Sequence, residues 1–591
     1  MRWDPQTRAV LTCFGLVSVF SLYSFRLIDL QILKHADYSA IAAEKHVHKA
    51  VIYAWRGKIW GTRHEVLADN LPVGLAVADG THIRDPEALA RIVAPDLEMD
   101  PVDLTDKFAK AKQTSAKYVV IKKDVPEEKA TAILAAMRTA KVHGLYFDPD
   151  FRRIYPNGTL LAQVIGTIDH DRRGILGIEK TMESCLRGQN GFRFIEEDRT
   201  GNELPQYRGI ETAAKNGCDV TLTIDLGLQN IVENQLDAAC AQYKPEMATI
   251  VVIRPQTGEI LAMASRPTFD CNAGTGDGEE QKNRPIADMI EPGSTFKIVV
   301  TSAALEEKLV TPETTIYCEN GHYEYGGRVL RDAHPMGTLS VHEILAKSSN
   351  IGAAKLALQL GENRFYDYIR RYGFGEKTGI QLSGEIPGLV NPPQRWSKID
   401  ITRIPMGQSI AVTPIQMITA MSAVANGGNL MKPLVISQVT DPDGRPVATF
   451  SPQIVRRVIS VATSKKIIAA LKDVVKKGGT APGAAVPGFA VAGKTGTAQK
   501  INPKGGYLEG KYVCSFVGFM PADDPRFTML VLLDNPVVKE GIAYGGTVAG
   551  PVFSKTAQKI AEYLDLQPTE PITPPALTAQ KKGIPTALRD D

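Results

Sequence analysis

The sequence predicts an α+β protein whose largest domain is built on one antiparallel sheet. Two strand-like apolar runs precede a long, largely helical stretch that ends near residue 430, and three more runs follow it. Strands at both ends of a domain, with helices between them, are typical of a sheet whose members pair across a large separation in sequence. The five runs are 248–254, 259–264, 489–497, 511–519 and 527–533.

The elements next to these runs follow from apolar periodicity and turn residues. Apolar residues at helical spacing predict a helix over 226–243. The segment Pro255-Gln256-Thr257-Gly258 predicts a turn between the first two strands. Gly550-Pro551 is expected to open a last helix, which ends at Leu564.

The composition excludes several classes of protein. Of 591 residues, 43% are hydrophobic and 23% are charged, which is ordinary for globular domains and excludes a disordered or collagen-like chain. The net charge of +3 is too balanced for a nucleic-acid-binding protein that depends on many phosphate contacts. The seven cysteines include no C-x-x-C pair. Cys13 lies in an apolar run near the N-terminus, and we expect the other six cysteines to be mostly buried small apolar residues. We predict no metal site.

One apolar run departs from this picture. Residues 9–25 contain no charged side chain, and 17 residues is the short end of what crosses a hydrocarbon core of about 30 Å as a helix. Because Arg26-Leu27-Ile28-Asp29 follows, with no small-x-small cleavage site, we expect an uncleaved anchor. Arg2 and Arg8 predict that the N-terminus is cytoplasmic and that the rest of the chain lies outside the membrane.

The anchor and the sheet divide the chain into segments. The region between them alternates short strands, such as 118–121, with charged loops, and it holds one expected helix over 126–141. It has few catalytic clusters, which favours a spacer or binding platform. The expected segments are a cytoplasmic N-terminus (1–8), the anchor (9–25), a juxtamembrane helix (26–45), the platform (46–215), the sheet domain (216–565) and a disordered, proline-rich tail (566–591).

The first motif that carries chemistry is Ser294-Thr295-Phe296-Lys297, an S-x-x-K. Pro292-Gly293 in front of it predicts a loop that enters a helix, and residues i and i+3 lie on one face of a helix. A serine hydroxyl becomes a nucleophile when a neighbouring base takes its proton. Lysine is such a base only when burial or nearby cations lower its pKa. The string alone is weak evidence, because a chain of this length holds roughly two by chance.

Two further motifs follow at long spacing. Ser348-Ser349-Asn350 starts 54 residues after Ser294 and offers a hydroxyl for proton relay and an amide for a peptide substrate. Lys494-Thr495-Gly496, followed by Thr497, starts 146 residues later on an expected strand. Lysine supplies a cation, the threonine hydroxyls suit a carboxylate, and glycine lets a ligand approach the backbone. S-x-x-K, S-x-N and K-T-G in this order are not plausibly accidental, and they are the signature of penicillin-binding proteins and β-lactamases.

The chain resembles the class B, or monofunctional, penicillin-binding proteins from the anchor to about residue 565. Within them it is most similar to the cell-division, FtsI-like branch, because QRWS at 394–397 is typical of that branch. The supporting strings are RRIYP (152–156), GIE (177–179), LRG (186–188), TLTID (221–225), TGEILAMASRP (257–267), NRPI (283–286), EPGSTFK (291–297), SSNIG (348–352), GKTGTA (493–498), FVGFMPADDPRF (516–527) and YGGTVAGPVF (544–553).

The resemblance implies a fold and a set of site residues. The fold is a penicillin-binding, serine β-lactamase-like transpeptidase domain, a five-stranded antiparallel sheet with helices on both faces, preceded by a single transmembrane helix and an elongated α+β pedestal. Ser294 is the implied nucleophile, and it shares the oxyanion hole with Thr497 through their backbone N–H groups. The other implied roles are general base for Lys297, proton relay for Ser348 with Lys494, donor holding for Asn350, and substrate binding for Thr495, Gly496 and Thr497.

The resemblance also implies a function and a place in the cell. The implied reaction is D-Ala-D-Ala transpeptidation, which cross-links peptidoglycan stem peptides through a serine acyl-enzyme, needs no cofactor, and is inhibited by β-lactams. The implied partners are a SEDS-family glycosyltransferase of the FtsW type and other divisome membrane proteins. The implied location is the inner membrane at the septum, with the catalytic domain periplasmic.

The sequence departs from the family at one place, and other functions stay open. The pedestal pattern R-G-x-I-x-D-R-N-G begins as Arg56-Gly57-Lys58-Ile59 but continues as Gly61-Thr62-Arg63-His64. This departure leaves the three motifs intact and bears on contacts between pedestal and partner. The alternatives are an elongation transpeptidase, a β-lactamase, and a divisome scaffold without catalysis. No glycosyltransferase motif is present that would indicate a bifunctional synthase.

Overall fold

The computed structural model describes residues 4–35, 47–196, 211–274, 276–502 and 505–571. Contacts divide the chain into two compact units whose segments interleave. The smaller unit is formed by described residues of 1–57, 70–152 and 187–217, and the larger unit by those of 58–69, 153–186 and 218–591.

The chain begins with the expected apolar helix. An α-helix spans Pro5–Ile28 and continues as a π-helical turn over Asp29–Leu33. Within the described residues this is the one helix that is long and apolar enough to cross a membrane, and its apolar stretch is not covered by the rest of the protein. The predicted outward continuation lies outside the described residues from residue 36, as does the predicted tail from residue 572.

The smaller unit is an α+β structure with its own core. Three amphipathic helices bury leucine, valine and alanine side chains against a sheet formed by the second part of Val66–Ala78 with Val119–Pro126 and Leu145–Ile154. The helices are Pro86–Leu97, Pro101–Thr114 and Glu127–Ala140, and a separate three-stranded sheet is formed by Val47–Ile52, Gly191–Glu196 and Glu211–Thr212. The helix predicted over 126–141 is confirmed, and the strand predicted over 118–121 is longer than expected.

The larger unit is built on the predicted five-stranded antiparallel sheet. Its strands, in chain order, are β1 (Met247–Ile253), β2 (Ile260–Arg266), β3 (Ala492–Ile501), β4 (Tyr507–Met520) and β5 (Phe527–Asp534). The order across the sheet is β2-β1-β5-β4-β3, so β1 and β5 from distant parts of the chain are neighbours. This confirms the expected fold class, and it places β3, which carries the third motif, at an edge.

Helices cover both faces of this sheet. In β1, Val251 and Ile253 pack into one apolar cluster, whereas Ile250 and Val252 pack into another, as the period of two along a strand requires. Burial on both faces explains why these strands read as continuous apolar runs rather than as an alternating pattern. One face is covered by α1 (Leu226–Tyr243) and α4 (Gly545–Tyr563), and the other by helices that include α2 (Lys297–Glu306), α3 (Asn350–Leu360) and Pro414–Ala425.

Further helices and strands complete this unit, and most of them are short. The helices are Ala162–Ile165, Gly177–Thr181, Glu183–Leu186, Gly278–Gln281, Arg284–Ala287, Val341–Ala346, Glu362–Arg371, Asp400–Arg403 and Val461–Val474. The strands are Ile59–Trp60, Asp219–Leu222, Thr315–Tyr317, His322–Tyr325, Arg328–Arg331, Thr338–Ser340, Asn429–Met431, Ile436–Thr440, Pro446–Thr449 and Ile454–Arg457.

The predicted start of the last helix is wrong. The helix begins at Gly545, five residues before Gly550, and Pro551 lies inside it. The glycines at its start are packing residues rather than loop residues: a Cβ on Gly545 would lie 2.3 Å from the Gly496 carbonyl oxygen, and one on Gly546 would lie 2.1 Å from that of Thr480. Because Gly545 has no side chain, α4 approaches β3 closely, and because Gly546 has none, α4 also approaches the backbone at Thr480.

Two of the sequence strings meet as a buried ion pair in the larger unit. The Arg153 Nε donates to Glu179 Oε1 at 2.7 Å, and both side chains are almost fully buried. Tyr155 OH also lies 3.4 Å from the same carboxylate oxygen. A buried pair of this kind holds its two segments in one arrangement, because separating the charges leaves one of them unpaired in the interior.

The cysteines form no disulfide. All seven lie in described parts of the chain, and each has a free thiol. Cys271, Cys318 and Cys514 are buried, whereas Cys185, Cys218 and Cys240 are only half-buried. Burial therefore accounts for three of the six cysteines beyond the first helix.

Candidate active site

Ser294 lies on a tight turn that leads into a buried helix. Residues Gly293–Phe296 form a 3-10 turn, and α2 begins directly at Lys297. Gly293 has a positive φ of +57°, and a Cβ there would lie 3.1 to 3.3 Å from the backbone of Thr497 on β3. Glycine is therefore required for the turn to pack against that strand. The arrangement brings Ser294 Oγ within 3.0 Å of Lys297 Nζ, as the i, i+3 spacing predicts.

Lys297 is the centre of a hydrogen-bond cluster. Its side chain is fully buried. Besides Ser294 Oγ, its Nζ lies 2.5 Å from the Ser348 carbonyl oxygen, 3.0 Å from Ser348 Oγ and 2.7 Å from Asn350 Oδ1. The first two motifs, which are 54 residues apart in sequence, therefore meet at one amine.

The environment of this amine favours its neutral form. Burial lowers the pKa of Lys297 to about 7, although the negative charge of Asp332 acts in the opposite direction. A pKa near neutrality allows a large fraction of the side chain to be an unprotonated base under physiological conditions. Lys297 is thus able to accept the proton of the Ser294 hydroxyl that it contacts.

The second motif is held in place by its backbone conformation and by side-chain hydrogen bonds at the start of α3. Ser348 adopts a left-handed conformation with φ of +62°, which is uncommon for residues other than glycine and is typical of functional sites. Ser349 is the N-cap of α3, where its Oγ accepts the N–H of Gly352 at 2.9 Å. Asn350 is the first residue of α3, and its Nδ2 donates to the Arg331 carbonyl oxygen at 2.8 Å.

Asp332 is a site residue that sequence reasoning missed. It ends the hairpin formed by His322–Tyr325 and Arg328–Arg331. Its carboxylate accepts the backbone N–H of Asn350 at 2.5 Å and of Ile351 at 3.2 Å, and the Ser349 hydroxyl at 2.8 Å. Asp332 therefore fixes the start of α3 and places a negative charge near Lys297. It belongs to no local motif, so only the folded hairpin reveals it.

The third motif closes the cluster from β3. Lys494 is fully buried, and its Nζ donates to Ser348 Oγ at 3.0 Å and to Thr495 Oγ1 at 3.2 Å. Burial, and then the positive charge of Lys297, hold the pKa of Lys494 well below its ordinary value. Ser348 Oγ therefore contacts both amines, which makes it a bridge for a proton between them.

Gly496 and Thr497 occupy the next positions of the same edge strand. A Cβ on Gly496 would lie 2.4 Å from Ser515 Oγ and 3.0 Å from the Pro292 carbonyl oxygen. A larger residue at this position would therefore clash with the turn that carries Ser294. This packing requires glycine in addition to the close approach of a ligand that the sequence predicts. Thr497 Oγ1 accepts the N–H of Gly545 at 3.0 Å, so its hydroxyl hydrogen is available to a ligand.

These contacts form one continuous site. Ser294, Lys297, Ser348, Asn350 and Lys494 are linked through direct hydrogen bonds, Thr495 joins them through Lys494, and Thr497 lies beside the Ser294 turn. A hydroxyl, a base of lowered pKa and a bridging hydroxyl are the groups needed to attack a carbonyl and to protonate its leaving group. The cluster is suited to acyl transfer through serine.

Comparison with known proteins agrees with this chemistry. The chain matches the penicillin-binding protein transpeptidase domain over residues 248–558 and the penicillin-binding protein dimerisation domain over residues 51–222. It is 34% identical over 562 residues to the stage V sporulation protein D of Bacillus subtilis, which covers 94% of this chain and 85% of the relative.

Two further relatives extend the comparison. The peptidoglycan D,D-transpeptidase FtsI of Escherichia coli is 31% identical over 519 residues, which cover 87% of this chain and 84% of the relative. The crystal structure of penicillin-binding protein 3 from Mycobacterium tuberculosis, in complex with aztreonam, is 28% identical with a TM-score of 0.68, and the match covers 88% of this chain and 99% of that one. The chain therefore belongs to the class B penicillin-binding proteins, with a dimerisation domain and a transpeptidase domain.

Proposed function

We propose that this protein is a peptidoglycan D,D-transpeptidase that acts through an acyl-enzyme on Ser294. The observation that carries the proposal is the contact of Ser294 Oγ with Lys297 Nζ at 3.0 Å, since the same amine is fully buried and has a pKa of about 7. A nucleophile with an adjacent base of this kind attacks a peptide carbonyl without a metal ion.

In the first step, Ser294 attacks the carbonyl between the two terminal D-alanines of a stem peptide. Lys297 takes the hydroxyl proton, and Ser348, which contacts both amines, passes a proton to the departing D-alanine. The backbone N–H groups of Ser294 and Thr497 stabilise the oxyanion, and such donors contribute about 3–4 kcal/mol each to transition-state stabilisation. The closeness of the Ser294 turn to the Thr497 backbone supports this pairing.

Substrate holding is assigned to the residues that surround this step. Thr495 and Thr497 bind the terminal carboxylate through their hydroxyl groups, with the Lys494 amine beside them, and Gly496 lets the peptide lie close to the edge strand. The Asn350 amide holds the donor peptide and keeps Lys297 in position through its Oδ1 contact of 2.7 Å. An amine of a neighbouring stem then attacks the acyl-enzyme, which forms the cross-link. A β-lactam acylates the same serine.

The site belongs to a membrane-anchored protein of the division apparatus. The apolar helix Pro5–Leu33 supports a single-pass anchor. We assign the catalytic domain to the periplasmic side because of Arg2 and Arg8. The division role is supported by the FtsI relative, whereas the sporulation protein among the relatives shows that the same architecture has another use. A SEDS glycosyltransferase of the FtsW type is the proposed partner, and the segments 46–215 and 216–565 are the proposed pedestal and catalytic domains.

Product analysis tests the proposal. The full chain in detergent is incubated with a stem pentapeptide donor and an amine acceptor, and both released D-alanine and cross-linked peptide are quantified. Ser294→Ala should abolish both products, whereas Ser184→Ala, an exposed serine at the surface, should leave both unchanged. Rapid turnover of nitrocefin without cross-linked product would instead identify a β-lactamase. Localisation of a fluorescent fusion separates the two transpeptidase roles, because septal fluorescence favours division and lateral fluorescence favours elongation.

A further inference from the structure

A partly buried arginine without an acidic partner lies beside the active site. Arg403 is the last residue of the short helix Asp400–Arg403, and the one hydrogen bond of its side chain among the described residues is from a terminal guanidinium nitrogen to the Val329 carbonyl oxygen at 3.2 Å. No described carboxylate forms an ion pair with it. Burial lowers the pKa of Arg403, with Tyr507 acting in the opposite direction. A guanidinium carries five donors, so most of its hydrogen-bonding capacity is left for a ligand.

Arg403 is linked to two features of the site, the turn that carries Ser294 and the hairpin that contains Arg328–Arg331. On one side, the residues that follow it run along the nucleophile turn: Gly293 N–H donates to Gly407 at 3.3 Å, and Ser409 N–H donates to Glu291 at 3.0 Å. On the other side, Val329 belongs to the hairpin strand Arg328–Arg331, which also accepts the hydrogen bond from Asn350. The chain that follows Arg403 therefore runs along the turn that carries Ser294, whereas the Arg403 guanidinium contacts the hairpin that supports the second motif.

Tyr507 marks which end of the site this is. Its hydroxyl donates to the Glu291 carboxylate, at 3.1 and 3.2 Å from the two oxygens, and its side chain remains 40% exposed. In the register of β3 and β4, Tyr507 pairs with Ile501. Along β3, Lys494 lies towards one end and Ile501 at the other, so Tyr507 belongs to the end remote from Lys494. Arg403 lies near enough to Tyr507 for the two side chains to influence each other electrostatically.

The direction of a bound donor follows from this placement and rests on the function proposed above. When the terminal carboxylate is held near Lys494 and Thr495, and the reacting carbonyl is at Ser294, the rest of the acyl portion extends along the edge strand toward Ile501. The first residues before the reacting D-alanine therefore reach the end of the cleft at which Arg403 and Tyr507 lie. The terminal carboxylate already has its own hydroxyl and amine partners, so Arg403 is left for a different carboxylate.

We propose that Arg403 binds a free carboxylate on the side chain of the third residue of the donor stem peptide. The substrate class is then a stem whose third residue is a diamino dicarboxylic acid, rather than lysine or a residue whose carboxylate is amidated. A bidentate guanidinium–carboxylate contact is strong and geometrically selective, which makes Arg403 a specificity-determining residue. The exposed Tyr507 ring forms the rim of this subsite.

Two matched donors test the proposal. Both end in D-Ala-D-Ala and differ only in whether the side-chain carboxylate of the third residue is free or amidated, and kcat/KM is measured from released D-alanine with the full chain in detergent. The wild type should prefer the free carboxylate by about 10- to 100-fold, the effect of a hydrogen-bonded charge. Arg403→Gln should lose this preference because kcat/KM falls for the donor with the free carboxylate and stays the same for the amidated donor. Arg403→Lys should retain part of the preference.

Control measurements separate this inference from the proposed function. Arg445→Ala, an exposed arginine in a surface turn, should leave both donors unchanged. Acylation by a fluorescent penicillin whose acyl side chain carries no carboxylate should stay within about twofold in Arg403→Gln, which shows that the site is folded. Equal losses on both donors, or a wild type without preference, would overturn the role of Arg403, whereas failure of all donors with intact penicillin labelling would instead count against the proposed transpeptidation.

Discussion

Acylation of Ser294 should follow the neutral fraction of Lys297, which sets its pH dependence. Burial lowers the pKa of this amine from 10.5 to about 7. Lysine accepts a proton only in its neutral form, so the rate constant for acylation rises with pH and levels off above the pKa. The neutral fraction is about one tenth at pH 6, about one half at pH 7 and about nine tenths at pH 8.

Asp332→Asn is the substitution that shifts this profile. The charge of Asp332 raises the pKa of Lys297, and asparagine removes the charge but keeps an oxygen for the N–H groups of Asn350 and Ile351. The pKa of Lys297 should therefore fall further, and the rising limb of the profile should move to lower pH. Exchange of charged for neutral hydrogen bonds should also lower the free energy of unfolding by about 1–3 kcal/mol.

The assay is the second-order rate constant for acylation by a fluorescent penicillin between pH 5.5 and 9.5, each variant scaled to its own plateau. Asp443→Asn, an exposed aspartate in a surface turn, is the matched control and should reproduce the wild-type profile. A wild-type rate that keeps rising tenfold per pH unit up to pH 9 would show that Lys297 has an ordinary pKa. A shift of the Asp332→Asn profile to higher pH would refute the electrostatic argument.

Three further substitutions test the packing and the charges of the larger unit. Arg153→Met should lower the free energy of unfolding by about 3–5 kcal/mol in urea titrations, because the buried Glu179 carboxylate loses the Arg153 charge beside it, and Glu179→Met in addition should restore much of the loss. Gly293→Ala should slow penicillin acylation at least tenfold with little change in far-UV circular dichroism, because φ is +57° and the Cβ meets Thr497; a wild-type rate would contradict the packing argument. Lys297→Met should remove a pH dependence of the free energy of unfolding. Between about pH 7 and 10.5 the unfolded wild-type chain binds a proton that Lys297 has lost in the folded state, so the free energy of unfolding of the wild type should rise with pH more steeply than that of Lys297→Met, by about 1.4 kcal/mol per pH unit. Equal slopes for the two proteins would contradict the lowered pKa of Lys297.

Features that depend on short stretches of sequence could be predicted. The five strands of the main sheet could be predicted because each is an apolar run bounded by turn residues. Their observed ends differ from the predicted ends by only a few residues. The contact between Ser294 and Lys297 could be predicted because a spacing of three residues brings the two side chains together on one turn. Both cases rest on local geometry that does not need the rest of the fold.

Features that depend on contacts between distant segments could not be predicted. Asp332 acts on α3 only because a hairpin folds back onto its start, and Arg403 becomes unpaired only through the packing around it. The start of α4 was misplaced because Gly545 looks like a loop residue until the backbone of β3 is seen beside it. The grouping of 58–69 and 153–186 with the C-terminal unit likewise arises from long-range contacts.

Identification of the acylated residue tests the central claim most directly. The full chain is treated with benzylpenicillin, digested, and analysed by mass spectrometry for the peptide that carries the penicilloyl group. The adduct should lie on Ser294, and Ser294→Ala should take up no label while Ser184→Ala labels normally. An adduct on another residue, or normal labelling of Ser294→Ala, would contradict the assignment of Ser294 as the nucleophile.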